Sequence, residues 1–328
     1  MPDIRWFAPN RYCTLPVPLL RKSGLSIATE GERPARLAFA ADGVCAVEAW
    51  QYAWRHRVPL AVYLWDLPPW QVGSGGPNLV LPFRGRLLKL PRPFGAYAGR
   101  NGYFSRQRFI ARRAAAVWVP STQTEDSVKK VFGVAADRVP FCFDSDRFNR
   151  AAGWQEPGGV PTVLAISRLT PQKNHAAILR AVALLPHAVR VHMIGRGSEA
   201  GTLRRIARKL GVDLVLDETW QSDQQIVGAY LGASVVVSLS RFEGFGLTPI
   251  EAMAMGIPVV ASDIPPHREY ADRGVSLVRL DDDTMAARAI DAALVGDRTM
   301  PRAYRSPSDL TIEACAERML RGFQQLLQ

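Results

Sequence analysis

The chain has 328 residues, 48% of them apolar and 22% charged, with four cysteines and a formal net charge of +11. That length accommodates two domains of ordinary size, and that balance belongs to a folded globular chain rather than a disordered one. No run approaches the ~20 consecutive apolar residues of a membrane span, and the opening M-P-D-I-R-W-F lacks the order of a signal peptide, so a cytoplasmic protein is expected.

Cys13, Cys45, Cys142 and Cys315 are scattered, with no C-x-x-C pair, and read as free thiols in a reducing compartment. The charge is uneven. Residues 1–150 hold 22 Lys/Arg against 11 Asp/Glu, whereas the remainder is balanced. Between Pro82 and Thr124 lie Arg84, Arg86, Lys89, Arg92, Arg100, Arg106, Arg108, Arg112 and Arg113 and no acid, interleaved with Phe83, Tyr97, Tyr103, Phe104 and Phe109. This mixture suits an anionic membrane surface; a solvated basic face is the plainer alternative. A neutral second half and the lack of a recognition motif argue against a nucleic-acid partner.

In chain order, the strand candidates of the first half are Ile4 to Ala8, Arg36 to Ala40, Leu60 to Trp65, Val117 to Pro120 and Val139 to Phe143. A Pro/Gly-rich insertion between Leu67 and Arg100 reads as a functional loop. Ala151 to Pro161 is the candidate linker. Thereafter strands at Thr162 to Ser167, Val189 to Gly195, Val212 to Leu216, Ser234 to Leu239, Pro258 to Ser262 and Val275 to Leu280 alternate with amphipathic helices. That order predicts a doubly wound parallel sheet with ligands at the carboxyl ends of its strands.

The segment R-F-E-G-F-G-L-T-P-I-E, Arg241 to Glu251, sets two glutamates around a glycine loop that leads from a buried strand into a helix. Thr248, Pro249 and Glu251 spell T-x-x-E, a capping box, and a helix N-terminus behind a glycine loop offers N–H groups to an anion. Glu251 as cap and Glu251 as ligand remain alternatives on this pattern. In I-S-R-L-T-P-Q-K-N-H, Arg168 and Lys173 follow the first strand of the second half, where two cations suit one polyphosphate or are simply solvated. The next strand ends in M-I-G-R-G, with Gly195 and Gly197 in the turn; a dinucleotide fingerprint normally follows the first strand of its unit, so a nicotinamide cofactor is not expected. Asp281, Asp282 and Asp283 precede a helix and read as caps rather than a metal cluster. Of five histidines only His175, beside the Lys173 loop, is retained as a site neighbour.

Together, S-R-L-T-P-Q-K-N, M-I-G-R-G and E-G-F-G-L-T-P-I-E-A-M-A-M-G-I-P-V-V-A-S-D resemble, over about Val160 to Leu280, the donor domain of glycosyltransferase family 4. That family comprises retaining, nucleotide-sugar-dependent enzymes of the GT-B fold, marked by two glutamates with seven residues between them. The resemblance implies an α/β chain of two Rossmann-like domains facing a central cleft, an acceptor-binding domain at 1–150 and a donor-binding domain at 151–310, with a C-terminal helix, 311–328, packed back on the first. It implies that Arg168 and Lys173 neutralise the donor diphosphate, that Glu243 holds hydroxyls of the donor sugar and Glu251 those of the ribose, that Phe245, Gly246, Leu247 and Thr248 line the phosphate, and that Gly195, Arg196 and Gly197 flank the nucleoside. Neither a metal nor a further cofactor is expected.

The first half departs from the family. Where members usually carry a glycine-rich loop, this chain has P-N-R-Y-C-T-L-P-V-P, and where many carry a histidine after a middle strand it has V-Y-L-W-D-L-P-P-W. Asp66 thus becomes the candidate acceptor-side base, or else it caps the turn before Pro68. The expected activity is hexosyl transfer to a lipid-linked or polysaccharide acceptor at the inner face of the membrane. The alternative is a non-catalytic nucleotide-sugar binding subunit.

Overall fold

Short runs of branched apolar residues form strands wherever helices cover them on both faces. A computed structural model describes residues 1–31, 34–67, 80–83, 86–89, 100–148, 158–295 and 307–328. It divides the chain into two compact units, residues 1–142 with 309–328, and residues 143–308. The candidate linker falls mainly outside the described residues, as do most side chains of the basic stretch between Pro82 and Tyr103.

In the first unit, β1 (Ile4–Phe7), β3 (Leu37–Ala40), β4 (Leu60–Tyr63) and β7 (Ala116–Val119) run parallel, with two-residue strands β2 (Ile27–Ala28) and β8 (Asp137–Arg138) at the edges. The sheet order is β2-β1-β3-β4-β7-β8. Val139 to Phe143, expected as a strand, is not one. The Val139 N–H reaches Val119 O at 2.9 Å, but Pro140 has no N–H to continue a ladder. Phe141 and Phe143 instead turn inward as buried plugs. The insertion expected as a loop contains an antiparallel pair of strands, β5 (Val80–Phe83) and β6 (Arg86–Lys89).

The helix Ile312–Leu327 belongs to this first unit. Thr311 caps its start, the hydroxyl accepting from the Ala314 N–H. Its Phe323 is fully buried, with ring centroids 4.8 Å from Trp118, 5.0 Å from Phe39 and 5.9 Å from Trp6. Gly322 leaves room for this contact, because a Cβ there would stand 2.4 Å from the Trp118 indole.

The second unit has one sheet of β9 (Thr162–Ile166), β10 (Arg190–Ile194), β11 (Asp213–Asp217), β12 (Val235–Ser238), β13 (Val259–Ser262) and β14 (Ser276–Val278). All pairs are parallel, in the order β11-β10-β9-β12-β13-β14. Winding starts at β9 and proceeds outward in both directions, so the strand order reverses between β9 and β12. An open α/β sheet binds ligands at such a switch point. Every predicted strand of this half is present, with ends trimmed or shifted by a residue or two. Helices His175–Val182, Ala200–Leu210 and Asp283–Val295 cover the sheet through a core that includes Val163, Ile178, Met193, Leu203, Val237 and Ile290. No described helix is long and apolar enough to cross a membrane.

Candidate functional site

Four loops leave the carboxyl ends of β9, β10, β12 and β13 and are stapled into one surface. Gln172 Nε2 donates to Phe242 O at 2.9 Å, and the Arg241 N–H donates to Gln172 O at 2.8 Å. The β9 loop is also zipped to the β10 loop, with Ser167 N–H on Ile194 O and Leu169 N–H on Arg196 O. That zip accounts for the two glycines of M-I-G-R-G. A Cβ at Gly195 would stand 1.8 Å from Ser167 O, and one at Gly197 would stand 2.1 Å from Leu169 O. Their Cα faces are turned to backbone, and both Arg168 and Arg196 are left exposed on the joined loops. Arg196 Nε donates to Glu218 O at 2.6 Å.

At the switch point, Lys173 from the β9 loop meets Glu243 from the β12 loop at 2.6 Å, with side chains only 12% and 13% exposed. Burial pushes the Glu243 carboxyl upward, but the Lys173 charge foremost, with hydrogen bonds from Lys173 and Ser240, holds it below its ordinary range. It is therefore an anion. His175 lies beneath, 3% exposed, with Nε2 3.0 Å from Ser167 Oγ. Burial foremost, and then the Lys173 charge, lowers it to about 4, so the imidazole is neutral. A small cavity lined by Ser167, Lys173, His175, Ser240 and Thr248 opens beside these groups.

The helix Leu247–Ala254 begins differently from the predicted capping box. Its N-cap is Gly246, in the left-handed region at φ 84°, and no side chain caps the first turn. Thr248 lies inside the helix, and its hydroxyl donates to Ile166 O on β9 at 3.0 Å. Glu251 is a full turn in and does not reach back. It is buried, and Tyr230 OH donates to its Oε2 at 2.7 Å. Burial raises this carboxyl to about 6, against the opposing pull of Tyr230 and Arg147. Glu243 and Glu251 thus occupy distinct settings: the first shares the switch point with Lys173, and the second is enclosed with Tyr230, from the helix Asp223–Leu231, near Arg147 and Asp144. Leu247 is half-buried and Phe245 fully so.

Two residues that sequence reasoning passed over complete the loop. His267, on the short helix Pro265–Arg268 after β13, is fully buried, and its ring lies against Gly246, where a Cβ would meet Cδ2 at 3.2 Å. Tyr270 OH donates to Phe245 O at 3.0 Å, its ring edge-on to that of Phe245. The available signal was position alone: P-P-H-R-E-Y leaves a strand at the same sheet edge as the glycine loop.

The acid run divides its roles. Asp282 Oδ1 accepts from the Met285 N–H as a cap, Asp283 pairs with Arg180 at 2.6 Å, and Asp281 pairs with Arg241 at 2.6 Å. The four cysteines are all buried, and none is in a disulfide. In the first unit Asp66 follows β4, half-buried, and its charge helps to raise the Asp42 carboxyl, after the larger effect of burial. The segment P-N-R-Y-C-T-L-P-V-P, which stands where the family usually has a glycine-rich loop, contains a helical turn, Tyr12–Thr14, and the start of the helix Val17–Lys22.

Residues 146–306 match the family model described as Glycosyl transferases group 1. Over 116 residues the chain is 40% identical to the D-inositol 3-phosphate glycosyltransferase of Mycolicibacterium smegmatis, covering 32% of this chain and 26% of that protein. It is 28% identical over 189 residues to the O-antigen chain mannosyltransferase RfbU of Salmonella typhimurium, covering 56% and 52%. The chain thus spans about half or less of the length of these curated relatives. Among solved structures, Anabaena Alr3699/HepE in complex with UDP and glucose superposes with a TM-score of 0.68 over 99% of this chain and 98% of that one, at 16% identity. That likeness places the fold in the GT-B class.

Proposed function

We propose that this GT-B chain is a retaining glycosyltransferase. It moves a sugar from a nucleoside-diphosphate sugar, of GDP-mannose or UDP-hexose type, to a lipid-linked or polysaccharide acceptor without a metal. The observation that carries the proposal is the convergence at the β9/β12 switch point of Lys173, the anionic Glu243 and the uncapped start of the helix Leu247–Ala254. A buried cation beside helical N–H groups is built to take a diphosphate leaving group, and stabilising that group is where such a transfer is accelerated. Arg168 adds a second cation from the same loop, and Glu243, released as Lys173 turns to phosphate, accepts from sugar hydroxyls. Glu251 takes the ribose, the joined loops carrying Gly195, Arg196 and Gly197 flank the nucleoside, and Phe245 to Thr248 line the phosphate. Asp66 serves as the acceptor-side base.

The basic charge of the first 150 residues supports an anionic lipid surface at the inner face of the membrane as the place of work. A second reading, a nucleotide-sugar binding subunit without transfer, is favoured by one observation: the first unit has a helical turn where a glycine-rich loop is expected. Thermal stabilisation by a panel of nucleotide sugars tests the donor class. Transfer to a polyprenyl-linked glycan by the purified chain, lost in Glu243→Ala, separates the readings; stabilisation without turnover refutes the enzyme and leaves the subunit.

A further inference from the structure

Two buried imidazoles flank the Lys173–Glu243 pair, and each has one ring nitrogen without a partner, Nδ1 of His175 and Nε2 of His267. His267 Nδ1 lies 2.9 Å from Ser262 O. A carbonyl oxygen only accepts, so Nδ1 carries the ring proton and Nε2 presents a bare lone pair. That lone pair is sealed against Gly246, whose Cβ, if it had one, would stand 3.3 Å away. Burial lowers both imidazoles, the Lys173 charge acts in the same direction, and the Glu243 charge opposes it. The other polar neighbours, Ser167 of His175 and Ser262 and Tyr270 of His267, do not ionise near neutral pH.

An orphaned acceptor in a fully buried place is costly and calls for a reason. The arrival of a diphosphate supplies one. Lys173 turns from Glu243 to the phosphates, Glu243 loses the cation that holds it ionised, and the ligand brings further negative charge. Each change favours a proton on the nearest free base. We infer that His267 is the charge-compensating residue of the donor site: its Nε2 takes one proton from solvent when a nucleoside-diphosphate sugar binds, and the imidazolium keeps Glu243 ionised against the sugar hydroxyls. His175 is the poorer acceptor, because it opens the helix His175–Val182, where the positive end of the helix dipole and the adjacent Lys173 both repel a second proton. The inference rests on the reading in which Lys173 meets the donor diphosphate.

Calorimetric titration with UDP-glucose and with GDP-mannose tests it, since neither diphosphate diester titrates near neutral pH. Run at one pH in phosphate and in Tris, which differ in ionisation heat, binding by the parent is expected to take up between about half and one proton per donor, and affinity to fall as pH rises. His267→Asn keeps a donor for Ser262 O and removes the base at the Nε2 position. It should bind more weakly and with the same heat in both buffers, while His175→Asn should retain the uptake. Equal heats for the parent in the two buffers, or uptake that survives His267→Asn, overturns the inference while the donor site stands. The parent comparison decides even where His267→Asn does not fold. Absence of binding by either donor refutes the Lys173 reading, and the inference with it.

Discussion

Glu251→Gln is predicted to stabilise the second unit and to weaken donor binding at once. Glu251 is 7% exposed, and its carboxyl is raised from 4.5 to about 6 chiefly by burial. A raised carboxyl is retained in the protonated form by the folded state. Its cost is therefore absent below the unfolded value of 4.5, grows as pH rises from 4.5 to about 6, and is complete above that. The shift corresponds to about 2 kcal/mol held against the ionised form at pH 7. Glutamine is isosteric and still accepts from Tyr230 OH, so it removes the cost and keeps the contact. Urea unfolding at a series of pH values should show the variant ahead by about 2 kcal/mol at neutral pH and level with the parent near the unfolded carboxyl value. If Glu251 accepts from the ribose hydroxyls, losing its charge should also weaken nucleotide-sugar binding by about 10–100-fold. A stability gain that does not vary with pH, or a variant less stable than the parent at neutral pH, would refute the reasoning.

Lys173→Met leaves Glu243 buried without its cation and should destabilise the second unit by about 3–5 kcal/mol at neutral pH. The loss should shrink in mildly acid solution, because burial unopposed by Lys173 raises the Glu243 carboxyl until it protonates; thermal melts across pH read this directly. Gly246→Ala forces a side chain into φ 84° and against the His267 ring, at a cost of about 1–2 kcal/mol. Nucleotide-sugar affinity, followed by thermal shift, should fall with it. Asp66→Asn should bind donor like the parent and lose transfer in a radiolabelled-sugar assay. Full turnover in that variant would remove Asp66 from the chemistry.

The inner strands of the second unit, β9, β10, β12 and β13, were legible because they are largely buried on both faces, which leaves an apolar run between polar turns. Val139 to Phe143 shows the converse: its residues are apolar enough for a strand, but Pro140 breaks the ladder and the aromatics are used as plugs. The capping box was a correct local pattern defeated by a distant partner. Thr248 is drawn to Ile166 O, 82 positions away in sequence, and Gly246 takes over the helix start. Lys173 and Glu243 could be placed at one sheet edge from strand order alone. That they face each other at 2.6 Å could not, because the approach depends on Gln172 tying one loop to the other. His267 was invisible for the same reason. Its importance comes from packing against Gly246 across two strands, and no spacing between residues 246 and 267 announces it.

The placement of Phe323 has a consequence for how the chain is made. Trp6, Phe39 and Trp118 are synthesised early, yet the ring that fills the space among them arrives only after all of residues 143–308 have left the ribosome. The unit that begins first is therefore completed last. Until Ile312–Leu327 docks, one face of its sheet remains a greasy, half-covered surface, while the later-made unit already has every residue of its own core. Newly made chains should accordingly be captured by chaperones through their first 140 or so residues, and stalled synthesis should leave the second unit folded and the first prone to aggregation.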